Sequence, residues 1–343
     1  MSFQAENHLR VVKGIENEFV GHALVFGKFM PPTNGHLFLI DFAKASSRKV
    51  TILVCSLPSE PIPGEERYKW IKKLYPDCNV VHHAVEIPQY PEEAPDFFNI
   101  WKDSIHRHCP GEKFDAIFAS EPYGYDMANI MGLRFIPVNT RRDIVPITGT
   151  EMRNQPMKQW DQLNPVIRPY FAKRVAIIGP EHCGKTALSQ ALSERFKTVM
   201  VGDYAEILVD DYQTNIPDYD RESMLNVGDV STVARGQLAS MEALLPQCNK
   251  VIFSDTELIT TMQRSKKLFG EVPDWVEDLS YSQEYHLYLL IKPSSQADKE
   301  TVSSYKWLRG EMIRRNLSFV EIHAEKPEAM CDQAFSHVEE LIS

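Results

Sequence analysis

The chain has 343 residues, 43% of them hydrophobic and 24% charged, which is typical of two globular domains that each bury a core. Its formal net charge of −10 argues against a dedicated nucleic-acid surface, because a basic footprint is missing. No apolar run reaches membrane-spanning length, no signal-peptide core opens the chain, and the six Cys have no paired or metal-like spacing, so we expect a cytoplasmic protein with reduced thiols.

The first half alternates between short apolar runs and segments with helical spacing. Residues 1–20 are polar and are expected to be a flexible segment. The pattern then predicts strands at 22–29, 49–56, 79–85, 114–120 and 134–139, and helices at 35–46, 64–75 and 94–109. Strands that alternate with helices indicate an α/β domain with a mainly parallel sheet.

The same alternation restarts at residue 173. It predicts strands at 173–179, 198–205, 250–257 and 284–293, and a helix at 185–196. The intervening stretch, residues 153–173, contains three prolines and is expected to be a short packed linker. The predicted domains are therefore 21–172 and 173–343.

The second half opens with a phosphate-binding loop, G-x-x-x-x-G-K-[ST], as "GPEHCGKT" at 179–186. An apolar strand precedes the loop and a helix follows it, which is the context that the motif requires. Lys185 would neutralise the charge of the β- and γ-phosphates, and the Thr186 hydroxyl would help to hold Mg²⁺. The predicted nucleotide-binding residues here are Gly179, Glu181, His182, Cys183, Gly184, Lys185, Thr186 and Ala187.

Two carboxylates end strands of the same half. A kinase needs one carboxylate for the metal and one near the acceptor hydroxyl. Asp255, followed by Thr256, ends one apolar run and Asp203 ends another, at the strand ends where α/β sheets bind ligands. Either residue could instead be a helix cap.

A different set of polar residues marks the first half. The stretch 27–36, "GKFMPPTNGH", follows the first strand and supplies Gly27, Lys28, Phe29, Thr33, Gly35 and His36. Far along the chain, "ITGTEMR" at 147–153 supplies Thr148, Thr150 and Arg153. Hydroxyls at a helix start followed by a cation suit a triphosphate.

These two stretches carry a family resemblance. Thr33–His36 resembles the [HT]-x-G-H signature of nucleotidylyltransferases, and 147–153 resembles their second signature, [ST]-x-[ST]-x-[IM]-R. With the phosphate loop behind them, the chain resembles NadR-type bifunctional nicotinamide-nucleotide (NMN) adenylyltransferase/ribosylnicotinamide kinases over about residues 22–340. The resemblance also rests on "ERYKW" (66–70), "ASEPYG" (119–124), the linker "RPYFAKRVAIIG" (168–179) and "DTELITT" (255–261).

The resemblance implies a Rossmann-like nucleotidylyltransferase domain followed by a P-loop NTPase-like kinase domain, both with mainly parallel sheets. In the first domain, NMN would attack the α-phosphate of ATP to give NAD and pyrophosphate. His36 would contact the α-phosphate, and Lys28, Thr33 and Arg153 would hold phosphates. The resemblance also implies that Arg67 and Trp101 contact the mononucleotide, with Trp101 either stacking on the ring or packing in the core. Adenine and ribose would be contacted by Ser120, Glu121 and Tyr123, and the nucleotide by Arg142.

In the second domain, the resemblance implies ATP-dependent phosphorylation of nicotinamide riboside (NR). Lys185 would act on the phosphates, Thr186 and Asp255 would hold Mg²⁺, and Asp203 would be the candidate base. The implied partners are ATP, NMN, NR and NAD, with no nucleic acid and no membrane; homo-oligomerisation is left open. Only about 20 residues precede the first strand, too few for the helix-turn-helix repressor module of some relatives.

The chain departs from the family pattern in three places. Residues 203–207 read Asp-Tyr-Ala-Glu-Ile where the family has E-Y-G-R-E, so the arginine is absent. The lid pattern W-V-x-D-G-x-R has no clear copy in 293–315, where Arg309, Arg314 and Arg315 could supply charge, and V-D-x-x-R appears as Val-Asn-Thr-Arg-Arg at 138–142. One alternative is therefore an active NMN adenylyltransferase whose phosphate-loop domain is a nucleotide sensor or phosphorylates another substrate; a second keeps the fold but changes the pyridine substrate.

Overall fold

The computed structural model describes residues 20–141, 148–215, 226–323 and 326–343. The chain divides into two compact units, Met1–Ile167 and Arg168–Ser343. The predicted flexible segment lies outside the described residues apart from Val20. No helix in the described ranges is long and apolar enough to cross a membrane.

The first unit alternates strands and helices as the sequence predicts. Its strands are β1 (Val20–Gly27), β2 (Ser47–Ser56), β3 (Asn79–Ala84), β4 (Ala116–Ala119) and β5 (Arg134–Pro137). Its helices are α1 (Asn34–Ser46), α2 (Gly64–Leu74), α3 (Phe97–His108), α4 (Tyr123–Met131) and α5 (Gly149–Asn154).

The strands of this unit form a parallel sheet in the order β3-β2-β1-β4-β5. Val25, Ile52 and Phe118 pack on α1 and α2 on one face, and Leu24, Leu53 and Ile117 pack on α3 and α4 on the other. Both faces are covered, which explains the continuous apolar runs of the strands. The strand order reverses between β1 and β4, and ligands of open α/β sheets bind in the crevice at such a point.

The second unit repeats this architecture. Its strands are β6 (Lys173–Ile178), β7 (Met200–Val201), β8 (Val251–Asp255), β9 (Leu287–Ile291) and β10 (Phe319–Ile322). Its helices are α6 (Arg168–Phe171), α7 (Lys185–Phe196), α8 (Tyr204–Asn215), α9 (Val227–Leu244), α10 (Leu258–Phe269), α11 (Asp274–Ser282), α12 (Lys299–Arg314) and α13 (Pro327–Leu341).

The second sheet is also parallel, in the order β10-β9-β6-β8-β7, with β6 at its centre. The prediction of a strand over 198–205 was wrong in extent: β7 has two residues and α8 begins at Tyr204. Only Met200 and Val201 pair with the neighbouring strand, and the Gln237 side chain instead accepts a hydrogen bond from the Tyr204 N–H. Two α/β units with parallel sheets confirm the predicted fold class.

The boundary between the units lies a few residues before the predicted position. The short helix α6 belongs to the second unit, where it contacts the 3-10 turn Leu245–Gln247. The Ala172 N–H donates to the Arg168 carbonyl at 2.9 Å, so α6 leads directly into β6.

Candidate functional sites

The first unit has a cavity of about 200 Å³ at the carboxyl ends of β1 and β4. The predicted residues that line it are Gly27, Lys28, Phe29, Thr33, Gly35, His36, Ser120, Glu121, Tyr123 and Thr148. The structure therefore brings together residues more than a hundred positions apart, at the place where the strand order reverses.

His36 and Thr33 form a reciprocal cap at the start of α1. The Thr33 N–H donates to His36 Nδ1 at 3.0 Å, and Thr33 Oγ1 accepts from the His36 N–H at 3.4 Å. A neutral imidazole that accepts at Nδ1 carries its proton on Nε2. We infer that His36 offers a cavity ligand an Nε2–H donor.

The helix α5 clamps the loop that precedes α1. Arg153 Nη1 donates to the Met30 carbonyl at 2.6 Å, and a Cβ at Gly149 would lie 3.0 Å from that carbonyl oxygen. Arg153 and Thr150 also contact each other, at 3.4 Å. Among the predicted residues of this stretch, Thr148 lines the cavity and Arg153 holds the two loops together.

Arg67, which the resemblance assigns to the mononucleotide, lies in the interior of the first unit. Its side chain is fully buried and donates to the Lys28 carbonyl at 2.7 Å and to Glu60 Oε2 at 2.6 Å. Glu60 also pairs with the Lys28 ammonium at 2.9 Å. Burial acts to raise the pKa of Glu60, but the Leu57 N–H, Lys28 and Arg67 together hold that pKa below its usual value. Arg67 thus orients Lys28 through Glu60, a residue that the sequence analysis missed.

A second, aromatic cavity of about 430 Å³ adjoins the first and shares Gly27, Lys28, Glu121 and Tyr123 with it. Tyr90, Phe97, Phe98 and Trp101 line it. Trp101 is mostly buried, donates from Nε1 to the Pro88 carbonyl at 2.7 Å and stacks on His83 at 5.3 Å. Trp101 therefore packs in the core and also lines this cavity, and its stacking on the ring stays a prediction. Arg142 lies outside the described residues.

The second unit places the phosphate loop at the carboxyl end of its central strand. Gly184 has a φ of 89°, a left-handed conformation suited to glycine, and α7 begins immediately after it. Lys185 is buried and donates to the Pro180 carbonyl at 2.9 Å. Burial raises the pKa of the Cys183 thiol in this loop.

Thr186 and Asp255 meet beneath the loop. The Thr186 hydroxyl donates to Asp255 Oδ2 at 2.5 Å. Burial raises the pKa of Asp255, and the nearby Asp203 adds to this. Asp203 lies one strand away; its Oδ1 accepts from the Ala205 N–H at 3.0 Å and its Oδ2 from the Thr256 hydroxyl at 3.1 Å.

A cavity of about 250 Å³ lies between the loop and helices α10 and α12. Gly179, Glu181, His182 and Lys185 line it from the loop. Gly184 and Ala187 instead line an apolar cavity of about 480 Å³ between α7 and α13.

Three functional candidates of this unit were missed by the sequence analysis. Arg264 and Lys267 of α10 line the cavity, and buried Gln237 donates to the carbonyls of Asp255 and Thr256. Arg309 pairs with Glu321, and Arg314 and Arg315 pair with Glu311; none of the three is among the residues that line this cavity. The i, i+3 spacing of Arg264 and Lys267 was the available sequence signal.

The fold and the two sites define this chain as a two-unit, parallel α/β nucleotide-binding protein. A family model described as an AAA domain matches residues 174–324. Two curated relatives carry the name "Trifunctional NAD biosynthesis/regulator protein NadR". The one from Escherichia coli (strain K12) is 25% identical over 88% of this chain and 78% of its own length; the one from Salmonella typhimurium (strain LT2) is 25% identical over 93% and 82%.

Solved structures agree at the level of the fold. A crystal structure of NadR protein in complex with NR matches 94% of this chain and 97% of its own, with a TM-score of 0.76 and 18% identity. One of NadR protein in complex with NAD and AMP-PNP also has a TM-score of 0.76, with 19% identity and coverages of 94% and 96%. The chain is therefore similar to these NadR proteins in fold over most of its length.

Proposed function

We propose that the chain is a bifunctional NAD salvage enzyme that phosphorylates NR to NMN and then transfers an adenylyl group from ATP to NMN. The observation that carries the proposal is that one chain has two phosphate-type loops, each beside a cavity at the carboxyl edge of a sheet. The loop of the first unit also adjoins an aromatic cavity. The relatives named for NAD biosynthesis match over most of the chain, which supports the same assignment.

Adenylyl transfer would occur in the 200 Å³ cavity. A phosphate oxygen of NMN attacks the α-phosphorus of ATP, and the bond from that phosphorus to the β-phosphate oxygen breaks with its electron pair leaving in pyrophosphate. Charge develops on the α-phosphate oxygens, where the His36 Nε2–H donates a hydrogen bond. Lys28 and Thr148 bind the phosphates, and no covalent enzyme intermediate is needed.

The aromatic cavity would take the nicotinamide ring of NMN. Trp101 and Phe97 offer apolar ring surfaces there, and aromatic rings pair well with a flat heterocycle. The shared residue Lys28 would place the phosphate end of the mononucleotide toward His36.

Phosphoryl transfer would occur at the phosphate loop. The 5′-oxygen of NR attacks the γ-phosphorus of ATP, the bond to the β-phosphate oxygen breaks, and ADP leaves with the electron pair. Lys185 binds the phosphates, and the proton of the hydroxyl passes to the Asp203 carboxylate. The adjoining apolar cavity of α7 and α13 suits the adenine ring of ATP.

The residues present fit a magnesium ion at this site. Thr186 and Asp255 supply only oxygen donors, and buried Asp255 Oδ1 has no hydrogen-bond partner among the described residues. No cluster of three or more His, Cys, Asp or Glu in those residues could hold a metal, but Mg²⁺ is usually held by one or two carboxylates together with phosphates and water. When bound, Mg²⁺ would neutralise charge on the β- and γ-phosphates.

The test is product analysis of the purified chain with ATP and Mg²⁺, with NR in one reaction and NMN in the other. We expect NAD from both. NAD from NMN alone would restrict the enzyme to its first unit and make the second a nucleotide sensor or a kinase for another substrate. No NAD from either would overturn the proposal.

A further inference from the structure

The phosphate-loop cavity contains three cationic side chains among the residues that line it: Lys185, Arg264 and Lys267. Lys267 is half-exposed and bonded to Glu300 at 2.5 Å. Lys185 belongs to the loop itself. Arg264 differs from both, because its side chain is only 20% exposed and is anchored on a buried carboxylate.

Arg264 reaches the cavity from a rigid element. Its helix, α10, begins directly after β8, and Glu257 caps that start by accepting from the Ile259 and Thr260 N–H groups at 2.7 and 3.0 Å. This cap fixes the helix relative to Asp255, two residues earlier. Arg264 Nη1 donates to Asp203 Oδ2 at 2.6 Å, and Nε lies 3.6 Å from Glu181 Oε1.

A guanidinium has five N–H donors in one plane, so the bond to Asp203 engages only part of the group. Arg264 also lines the cavity, so the other N–H groups of its guanidinium can donate to a ligand there. The same lining contains the acids Glu181, Asp298 and Glu300. These three acids offset the three cations of the lining, so a triphosphate there needs a cation beyond the loop lysine, and Arg264 is the one held in place.

The sequence of α8 supports this placement. Glu206 lies at the arginine position of the E-Y-G-R-E pattern that the resemblance supplies. Its charge is close enough to act electrostatically on both Asp255 and Arg264. Glu206 therefore adds negative charge at these groups, and the cation paired with Asp203 comes from α10.

We propose that Arg264 is a catalytic residue of the phosphate-loop unit that binds the phosphoryl group during its transfer. This inference rests on the proposed kinase function. As the γ-phosphorus passes from the β-phosphate oxygen to the 5′-oxygen of the riboside, charge spreads over its three equatorial oxygens. Arg264 donates to those oxygens while Asp203 holds its other edge, and Asp203 accepts the hydroxyl proton.

The experiment compares R264Q and R264K in the full-length chain with K266Q, which removes an exposed cation from the same helix. Phosphorylation of NR and adenylylation of NMN are measured on each protein, and the second reaction serves as the folding control. We expect R264Q to lower kcat for NR by about 10³-fold, as for an arginine that contacts a phosphoryl group, with KM changed less than about tenfold. R264K should recover part of the loss, and K266Q should match the unchanged chain.

A second measurement separates binding of the phosphoryl group from support of Asp203. ADP with aluminium fluoride mimics the transferring phosphoryl group, whereas ADP alone does not. R264Q should weaken binding of ADP–aluminium fluoride by about 10²-fold or more and of ADP by less than about threefold. Adding E206R to R264Q, which restores the related pattern, should recover kcat by at least about tenfold.

The outcomes distinguish this inference from the function on which it rests. If the unchanged chain phosphorylates NR and R264Q keeps more than a third of its kcat, the proposed role of Arg264 is wrong and the kinase function stands. If R264Q weakens the binding of ADP and of ADP–aluminium fluoride equally, Arg264 only supports Asp203, and the proposed catalytic role is wrong. If the unchanged chain forms no NMN from NR, the kinase function fails, and the inference fails with it.

Discussion

The capping contact of His36 decides which of its nitrogens can act on a substrate. Thr33 donates its backbone N–H to Nδ1, so the proton of the neutral ring lies on Nε2. A donor fixed in this way needs no reorientation when charge develops on the α-phosphate. The short T-x-G-H segment thus supplies both a helix cap and an oriented donor.

His36→Ala should lower kcat for NAD formation from NMN by about 10²- to 10³-fold, because it removes one oriented donor. NR phosphorylation should persist, since Lys185 and Asp255 belong to the other unit. His106→Ala, at an exposed position on α3, is the control. Both activities measured on one preparation check the prediction, and loss of both in a folded His36→Ala protein would contradict the two-site assignment.

Asp255→Asn should separate stability from activity. Burial raises the pKa of Asp255, so its contribution to stability is complete below the ordinary carboxyl pKa of about 4 and is lost as pH rises through the folded-state value. The buried Asp255 carboxyl therefore costs stability as the pH rises toward neutral. We expect Asp255→Asn to raise Tm at pH 7 without nucleotide by about 2–4 °C per kcal/mol regained, and to abolish NR phosphorylation.

Thermal unfolding between pH 4 and pH 8 tests this prediction, with exposed Asp278→Asn as the control. The gain in Tm should shrink toward pH 4. Mg²⁺ and ATP should stabilise the unchanged chain more than the variant, because a ligand stabilises in proportion to its affinity for the folded state. A lower Tm for Asp255→Asn at pH 7 would contradict the argument.

At the scale of elements, the first cavity depends on how closely α5 approaches the loop before α1. Gly149 makes this approach possible, since a Cβ there would lie 3.0 Å from the Met30 carbonyl oxygen. The Arg153 bond to the same carbonyl closes the contact. Thr148 and His36, from the two segments, therefore line one cavity.

Gly149→Val should separate these segments and lower NMN adenylylation by about 10²-fold, since a displacement near 1 Å has an effect of that size on oriented groups. NR phosphorylation should be unchanged. The control is Gly310→Ala on α12, where a Cβ would meet nothing within 4 Å and alanine favours the helix. Steady-state kinetics of both reactions decide the matter, and full adenylylation by Gly149→Val would show that the close approach is not required.

At the scale of the whole molecule, each unit has its own sheet and its own core. The short α6 packs within the second unit, against Leu245–Gln247. The structural boundary therefore falls between residues 167 and 168. A fragment that contains the second unit alone should accordingly begin at residue 168.

A fragment of residues 168–343 should fold and phosphorylate NR, and a fragment of 173–343 should be less stable because it lacks α6. We expect a Tm lower by a few degrees for the shorter fragment, in line with about 1 kcal/mol in a unit of this size. Thermal unfolding of both fragments, with NR phosphorylation as the activity readout, checks this. Identical Tm values would place the boundary at residue 173 after all.

Local sequence pattern predicted the alternation of strands and helices, and the helix of 185–196 matches α7 at both ends. The strand predicted over 198–205 was too long, because a run of apolar residues does not show that only Met200 and Val201 pair with a neighbouring strand. The burial of Arg67 was not predicted, for a related reason. A buried arginine and a ligand-binding arginine have the same letter, and only its neighbours Glu60 and Lys28 distinguish them.

The fold class, the two loops and the residues beside them could be predicted from the sequence, because strand periodicity and phosphate-loop motifs are patterns of consecutive residues. Only the tertiary structure decided which distant groups share a site. Thr148 and His36 line the same cavity, and Arg264 donates to Asp203 at 2.6 Å. The physical reason is that parallel strands bring their carboxyl ends to one edge of the sheet whatever the separation along the chain, and side-chain burial then decides which charges face a ligand.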